Sequence, residues 1–351
     1  MDGRDRQGIA AARRAHPAAA RPSGEVRLVS MRRPAYSLLA IAAFVSAQAV
    51  SADLAEQPPA WAYPVNTANL NASPDDGAPQ RVPGSTVSYT ASQIHDRFNS
   101  PVWHPEDQPP LPEVVAHGRK PDVFACAWCH RSAALGGPDN ANLAGLPASY
   151  IVQQMADFRS GARTTSVPKR NIQGMIAVAK GATDEEVRIA ADYLSALKPT
   201  PVIRVVESET APKTRVVDWH LAVESGAGTE PLARRIIEVP EDTEQYDNRD
   251  SRARFIAYVP PGSMQRGQQI AATGGGGKTQ QCAACHGPGL KGLGPVPRLA
   301  GLSPTYVFRQ LYDFRSGARA GASSAAMRPV VENLGVDDMI ALSAYVSSLS
   351  P

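Results

Sequence analysis

At 351 residues the chain has room for about two domains. Its composition is 43% hydrophobic and 20% charged, with aromatics sparse at 6% and Pro (31) and Gly (28) plentiful; that favours small helical domains joined by irregular segments over one large sheet. The formal charge of +3 owes much to residues 1–52, and a chain starting at Asp53 carries 28 basic against 30 acidic side chains, which argues against a nucleic-acid binder.

Residues 1–52 read as a leader. Met31 is followed by Arg32 and Arg33, an apolar run from Tyr36 to Val45, and a small-residue stretch ending Val50-Ser51-Ala52. This is the layout of a secretory signal peptide cut before Asp53, with Met31 as the expected start. The apolar run is shorter than the ~20 residues a membrane span needs. Export to the periplasm is the expectation, and retention as an uncleaved anchor the alternative. Residues 53–112 are rich in Pro, Asp and Asn and lack periodicity, so an extended arm wrapping the first domain is expected.

An internal repeat organises the rest of the chain. Cys126-Ala-Trp-Cys129-His130 leads to Leu143-Ala-Gly-Leu146, Tyr150 and Asp157-Phe-Arg-Ser-Gly-Ala-Arg163. Cys282-Ala-Ala-Cys285-His286 leads to Leu299-Ala-Gly-Leu302, Tyr306 and Asp313-Phe-Arg-Ser-Gly-Ala-Arg319, each 156 residues on. After a four-residue gap the offset becomes 152, and Met175, Tyr193 and Leu197 match Met327, Tyr345 and Leu349. The copies occupy residues 113–198 and 262–351.

Both copies read as helical. Ile151, Met155 and Phe158 share one face at helical spacing, as do Val307, Leu311 and Phe314. Thr183 with Glu186 three residues later predicts a capping box at the start of the last helix of the first copy. The matching helix starts near Gly335, with Asp337 and Asp338 in the first turn, where carboxylates suit the helix dipole. Between the copies, residues 199–261 hold β-branched runs at 202–206, 214–217, 235–239 and 255–259, which predict a few short strands. Gly274–Gly277 before Lys278 and Thr279 is read as a flexible loop, because a phosphate-binding loop needs Gly where Ala272 stands.

The four cysteines form two C-x-x-C-H motifs and leave none over for an ordinary disulfide framework. C-x-x-C-H is the attachment signature of c-type haem. Two thiols at this spacing each join one vinyl group of the porphyrin, and the next residue is delivered under the iron. Structural zinc and a thioredoxin-like thiol pair are the rivals, but export disfavours the first and no βαβ pattern accompanies the second. Two covalently bound haem c groups with iron are therefore expected, held by Cys126, Cys129, Cys282 and Cys285, with His130 and His286 as metal ligands. Methionine is the natural sixth ligand of an electron-transfer cytochrome. Only Met175 and Met327 are Met in both copies; Met155 aligns with Leu311, Met339 with Val187, and Met264 precedes its Cys pair. His95, His104, His117 and His220 have no repeat partner and read as surface or structural residues.

These motifs resemble tandem dihaem class I cytochromes of the cytochrome c4 type. The likeness rests on C-x-x-C-H, Leu-Ala-Gly, the Tyr-to-Phe-Arg-x-Gly-x-Arg segment, the Met and the last helix with its Tyr, each present twice. It implies a mainly α protein of two tandem cytochrome c domains, with the Pro-rich arm and the β-containing insert as additions. It further implies haems facing each other across the domain interface. The resemblance implies a Pro two residues before Leu-Ala-Gly whose carbonyl accepts the Nδ1 hydrogen bond of the ligating His. Pro297 fits, whereas the first copy has Ala141, and a difference in potential between the two haems is expected. Arg159, Arg163, Arg315 and Arg319 are candidates to pair with haem propionates at the interface, the alternative being a solvated helix end.

The function implied is a periplasmic electron carrier, not itself an enzyme, with a donor dehydrogenase and an acceptor oxidase or cytochrome as partners. A cytochrome subunit of a dehydrogenase or oxidase complex, with a membrane-associated partner, is the alternative. A dihaem peroxidase is disfavoured, because it needs one haem with an open coordination position.

Overall fold

The computed structural model describes residues 57–65, 76–217 and 220–351. The expected leader lies outside them. Helices run in chain order as α1 (Ala91–His95), α2 (Glu113–Ala116), α3 (Cys126–His130), α4 (Ala148–Ser160), α5 (Arg170–Gly181) and α6 (Asp184–Ala196). After a β-containing segment come α7 (Thr243–Asp247), α8 (Ser263–Thr273), α9 (Ala283–His286), α10 (Pro304–Ser316), α11 (Arg328–Val331) and α12 (Val336–Ser348). Among the described residues no helix is long and apolar enough to cross a membrane.

Local chemistry explains the main boundaries. Thr183 Oγ1 accepts from Glu186 N (3.1 Å) and Glu186 Oε2 accepts from Thr183 N (2.7 Å), which satisfies two orphan donors at the start of α6. At α12 the N-cap is Gly335, so only half of that box exists: its N–H reaches Asp338 Oδ2 at 3.2 Å. Helices α4 and α10 both end on a glycine in the left-handed region, Gly161 and Gly317, each with φ +80°. Such a φ is open to glycine at little steric cost, and it stops both helices at the same repeat position.

Each copy packs its own core. In the first, Val115, Ile151, Val187, Ala191 and Leu194 bring α2, α4 and α6 together. In the second, Ile270, Phe308, Leu334, Met339 and Ile340 join α8, α10 and α12. The copies differ where the repeat offset changes. Helix α5 has twelve residues, whereas the second copy has a 3-10 segment (Ala322–Met327) followed by one turn, α11.

Among the described residues the segment between the copies holds seven strands: β1 (Ile203–Glu207), β2 (Thr210–Pro212), β3 (Thr214–Val217), β4 (His220–Val223), β5 (Thr229–Pro231), β6 (Ile237–Pro240) and β7 (Phe255–Val259). β1 runs parallel to β7, which pairs antiparallel with β6, while β2–β5 and β3–β4 are separate two-stranded pairs. β2, β4 and β5 carry little β-branched patterning, and cross-strand pairing rather than propensity makes them strands.

The arm departs from the expected wrap of the first domain. Ala62 and Tyr63 are buried in the core of the second copy. Trp61 meets Phe308 at 4.6 Å between ring centroids, and the Tyr63 hydroxyl donates to Asp313 Oδ1 at 3.1 Å. Aromatic burial decides this, since α10 offers the rings on which Trp61 and Tyr63 can pack. Residues 91–100 do lie on the first copy: Arg97 O accepts from Ala125 N, and Ile94 O from the Trp128 indole.

Candidate haem sites

Each C-x-x-C-H motif forms one short helix, and in each the His ring is fixed the same way. His130 Nδ1 lies 2.8 Å from Ala141 O, and His286 Nδ1 lies 2.8 Å from Pro297 O. A carbonyl can only accept, so Nδ1 carries the proton and Nε2 is left with its lone pair, as a metal ligand requires. Burial lowers the pKa of both imidazoles and favours the neutral form, with the backbone bonds opposing it. Ala141 thus supplies the same acceptor as Pro297, because the bond needs a carbonyl and not a ring.

The thiols do not resemble a redox pair. Burial pushes Cys126 up to about 12 and raises Cys129 and Cys282, whereas a reactive C-x-x-C needs a lowered value. Arg249, Arg97 and Arg131 act against burial at Cys129 without overcoming it.

Beside the first motif lies a largely apolar cavity that opens to solvent. Its lining includes Cys126, Cys129, His130, Leu146, Ile151 and Met175. Met155 also reaches it, so position alone does not choose between the two sulfurs. Of the two, only Met175 has a methionine counterpart in the other copy. Met327, at the end of the 3-10 segment, is half-buried against the core of the second copy. His117 is exposed, and the lining of the cavity does not include it. His104 is buried beside Asp250 (3.2 Å), and His220 lies 3.5 Å from Asp247.

Where the copies meet, their Arg163 and Arg319 segments pair as an antiparallel bridge. Thr164 N donates to Ala318 O and Ala320 N to Ala162 O, both at 2.7 Å. The two guanidiniums share the Gln154 and Gln310 side-chain oxygens at 2.7–3.0 Å. Arg163 also reaches the Tyr306 hydroxyl (3.2 Å), and Arg319 that of Tyr150 (2.8 Å). Burial pushes the Tyr150 hydroxyl up, but Arg319 and Arg163 outweigh it and leave its pKa below the ordinary value.

Arg163 and Arg319 are each 7% exposed, and among the described residues neither has a carboxylate within salt-bridge distance. Arg319 Nε is buried with no hydrogen-bond acceptor. Buried cations of this kind call for an anion, and a porphyrin with carboxylate arms fits the cavity, the thiols and the guanidiniums together. Arg298 is a further buried guanidinium. It donates to Asn142 Oδ1, Ala144 O and Ala300 O, and burial pushes it down to about 10.

Of the four arginines singled out from the repeat, the structure brings together only Arg163 and Arg319. Arg159 donates to Ala179 O, Ala182 O and Asp184, and Arg315 to Leu334 O. Their recurrence has a structural reason, since both tie a helix end to the chain just before the last helix. Sequence reasoning passed over Gln154 and Gln310, although the 156-residue offset matches them. It had no signal for Arg298, whose counterpart is Asn142.

Residues 264–350 match the family described as Cytochrome c. The chain is 27% identical over 235 residues to a thiosulfate dehydrogenase electron acceptor of Stutzerimonas stutzeri, covering 66% of this chain and 82% of that protein. It is 38% identical over 78 residues to cytochrome c-554(548) of Halomonas halodenitrificans, covering 22% of this chain and 94% of that protein. With cytochrome c4 of Azotobacter vinelandii the identity is 36% over 87 residues, covering 23% and 41%.

Proposed function

This chain belongs to the cytochrome c family and carries two covalently bound haem c groups, and from that premise we propose that it is a periplasmic carrier of single electrons between redox proteins. Each haem supplies a one-electron iron couple. Cys126 with Cys129, and Cys282 with Cys285, would tether the two groups. His130 and His286 would ligate through Nε2, with Met175 and Met327 as the opposing ligands. Arg163 and Arg319 would hold the propionates, while Arg159 and Arg315 brace the helices around them. Six-coordinate iron leaves no open position, so the chain itself turns over no substrate.

One observation carries this reading. The His–carbonyl bond is made twice at the same 2.8 Å, and where the copies meet a buried guanidinium pair has no carboxylate within salt-bridge distance among the described residues. The test is a haem count on the holoprotein with spectra of its oxidised form. Two haems per chain and a weak far-red band from Met–iron bonding are expected; a single haem, or no such band, refutes the assignment.

The name of the Stutzerimonas relative favours a donor. We infer that a dehydrogenase oxidising a sulfur compound reduces this chain, and that an oxidase or another cytochrome reoxidises it. Rapid-mixing reduction by a thiosulfate dehydrogenase with thiosulfate tests the donor. No reduction by that pair, in protein that a small reductant does reduce, removes this donor while leaving the carrier role intact. Stable copurification with a dehydrogenase would instead mark the chain as a subunit of a complex.

A further inference from the structure

The two copies differ sharply in what covers the loop after the attachment turn. In the first copy none of residues 131–139 is exposed. At the 156-residue offset their counterparts are residues 287–295, and six of these nine are exposed. The cover on the first copy comes from outside the repeat. Tyr246, in the insert, closes on Gly137, where a Cβ would lie 2.9 Å from the Tyr246 hydroxyl. Arg249, also in the insert, donates to Trp128 O at 3.0 Å, and the Trp128 indole donates to Ile94 O of α1 at 3.1 Å. Ala127 and Trp128, within the turn itself, are left 2% and 5% exposed.

The second turn has no such cover. The counterpart of Gly137 is Leu293, which is 59% exposed. One exposed Leu means little by itself, but this one belongs to a continuous surface. A Cβ at Gly287 would lie 3.3 Å from Leu293 Cβ, and Gly292 N donates to His286 O at 2.8 Å, so the loop folds back onto the turn. Ala283, Ala284 and Cys285 of that turn are exposed, as are Pro288 and Pro295. Between Gln280 and Pro297 the only Lys, Arg, Asp or Glu is Lys291, whose Nζ reaches Pro351 O at 3.4 Å. The face is therefore apolar and almost uncharged.

We infer that electrons enter and leave the chain across the second attachment turn, on a face centred on Leu293. It takes a redox partner with a similarly apolar, uncharged rim around its own cofactor, and the insert closes the first turn to such partners. The inference rests on the dihaem electron-carrier reading above. Thioether bonds hold one porphyrin edge at its attachment turn, so whatever covers the turn keeps a partner from that edge. Electron transfer weakens steeply with distance, and the open turn gives the shorter approach. A charged partner face would lose its water here without gaining an opposite charge. Electron-transfer encounters use small interfaces, so one turn and one loop suffice.

Electron self-exchange tests this without an unidentified partner, because a second copy of the chain presents a face of the required kind. One reduced iron passes one electron to an oxidised iron of another copy, and no bond or proton changes. The reaction has no driving force, so a shift in potential does not enter. A haem count on the full-length holoprotein comes first, since fewer than two haems per chain refutes the dihaem reading rather than this inference. The rate is then read from the broadening of haem methyl NMR lines in mixtures of oxidised and reduced protein. The parent rate should change little with ionic strength. Leu293→Lys, at an exposed position that tolerates it, sets like charges against each other and should slow exchange about tenfold at low ionic strength, with added salt restoring it. Gln93→Glu on α1 beside the first turn, and Gln173→Glu between the cavity-lining Ile172 and Gly174, are both exposed and should leave the rate unchanged. Exchange too slow to broaden the lines, a Leu293→Lys rate equal to the parent's, or equal slowing by either Glu substitution overturns the proposal.

Discussion

Gly267 sits where α8 crosses α12, and it allows the sharpest stability test. An added Cβ would lie 2.0 Å from Ala341 O, 2.6 Å from Ala341 C and 2.7 Å from Tyr345 Cβ. The first two of these atoms are backbone, so no side-chain rotation relieves the clash, and the helices must part by about 1 Å or more to restore contact distances. Overpacking of a filled core costs about 1–3 kcal/mol, and the rigid contacts put Gly267→Ala at the upper end. Alanine recovers about 1 kcal/mol through helix propensity and a less flexible unfolded chain. The net expectation is a loss of about 1–2 kcal/mol, or roughly 1–3 °C in Tm for a chain of this size. Far-UV circular dichroism melts of the holoprotein measure it, with exposed Gln268→Ala as the control that should barely move. A Gly267→Ala protein that melts at or above the parent refutes the argument that this crossing demands glycine. The site is coupled to the same contact, because Cys282 N donates to Ala271 O on α8 at 3.0 Å.

Three further outcomes are expected. Thr183→Ala removes the acceptor for Glu186 N and should cost about 1 kcal/mol, read as a lower urea midpoint with an unchanged slope. Asp338 is subject to desolvation, which raises its pKa, but Lys278, Arg266 and Gly335 N more than offset it, so its folded value is depressed. The stability it contributes is therefore present above the ordinary carboxylate value and is lost as pH falls through the lower folded one; Asp338→Asn should flatten that acid decline in urea midpoints, and an unaltered decline would contradict it. Met175→Ala should retain both haems yet lose part of the far-red band and lower one potential, whereas Met155→Ala should leave the band intact.

Much of the site was legible because covalent and ligand chemistry is local. The C-x-x-C-H spacing names its thiols and imidazoles without reference to the rest of the chain. The repeat then singles out Met175 and Met327, which position in the cavity alone does not do, since Met155 lines it too. The capping box at Thr183 and the glycine stops at Gly161 and Gly317 were likewise within reach, as each depends on a few neighbouring residues. Recurrence misled only where two unlike reasons preserve a residue: Arg159 and Arg315 recur to brace helix ends, whereas Arg163 and Arg319 recur to face each other.

The amino-acid sequence by itself determined the two attachment turns, the helical repeat around them and the identity of the cofactor, because all of these rest on short-range spacing. Tertiary structure alone decided that residues 60–63 pack on the second copy, that Arg298 lies buried against Asn142, that Arg97 and Arg249 converge on Trp128, and that Arg131 packs on Tyr246. Those contacts join residues more than a hundred positions apart or from segments without periodicity. Their energy comes from burying rings and desolvating cations together, and no local pattern encodes which distant surface will cover which.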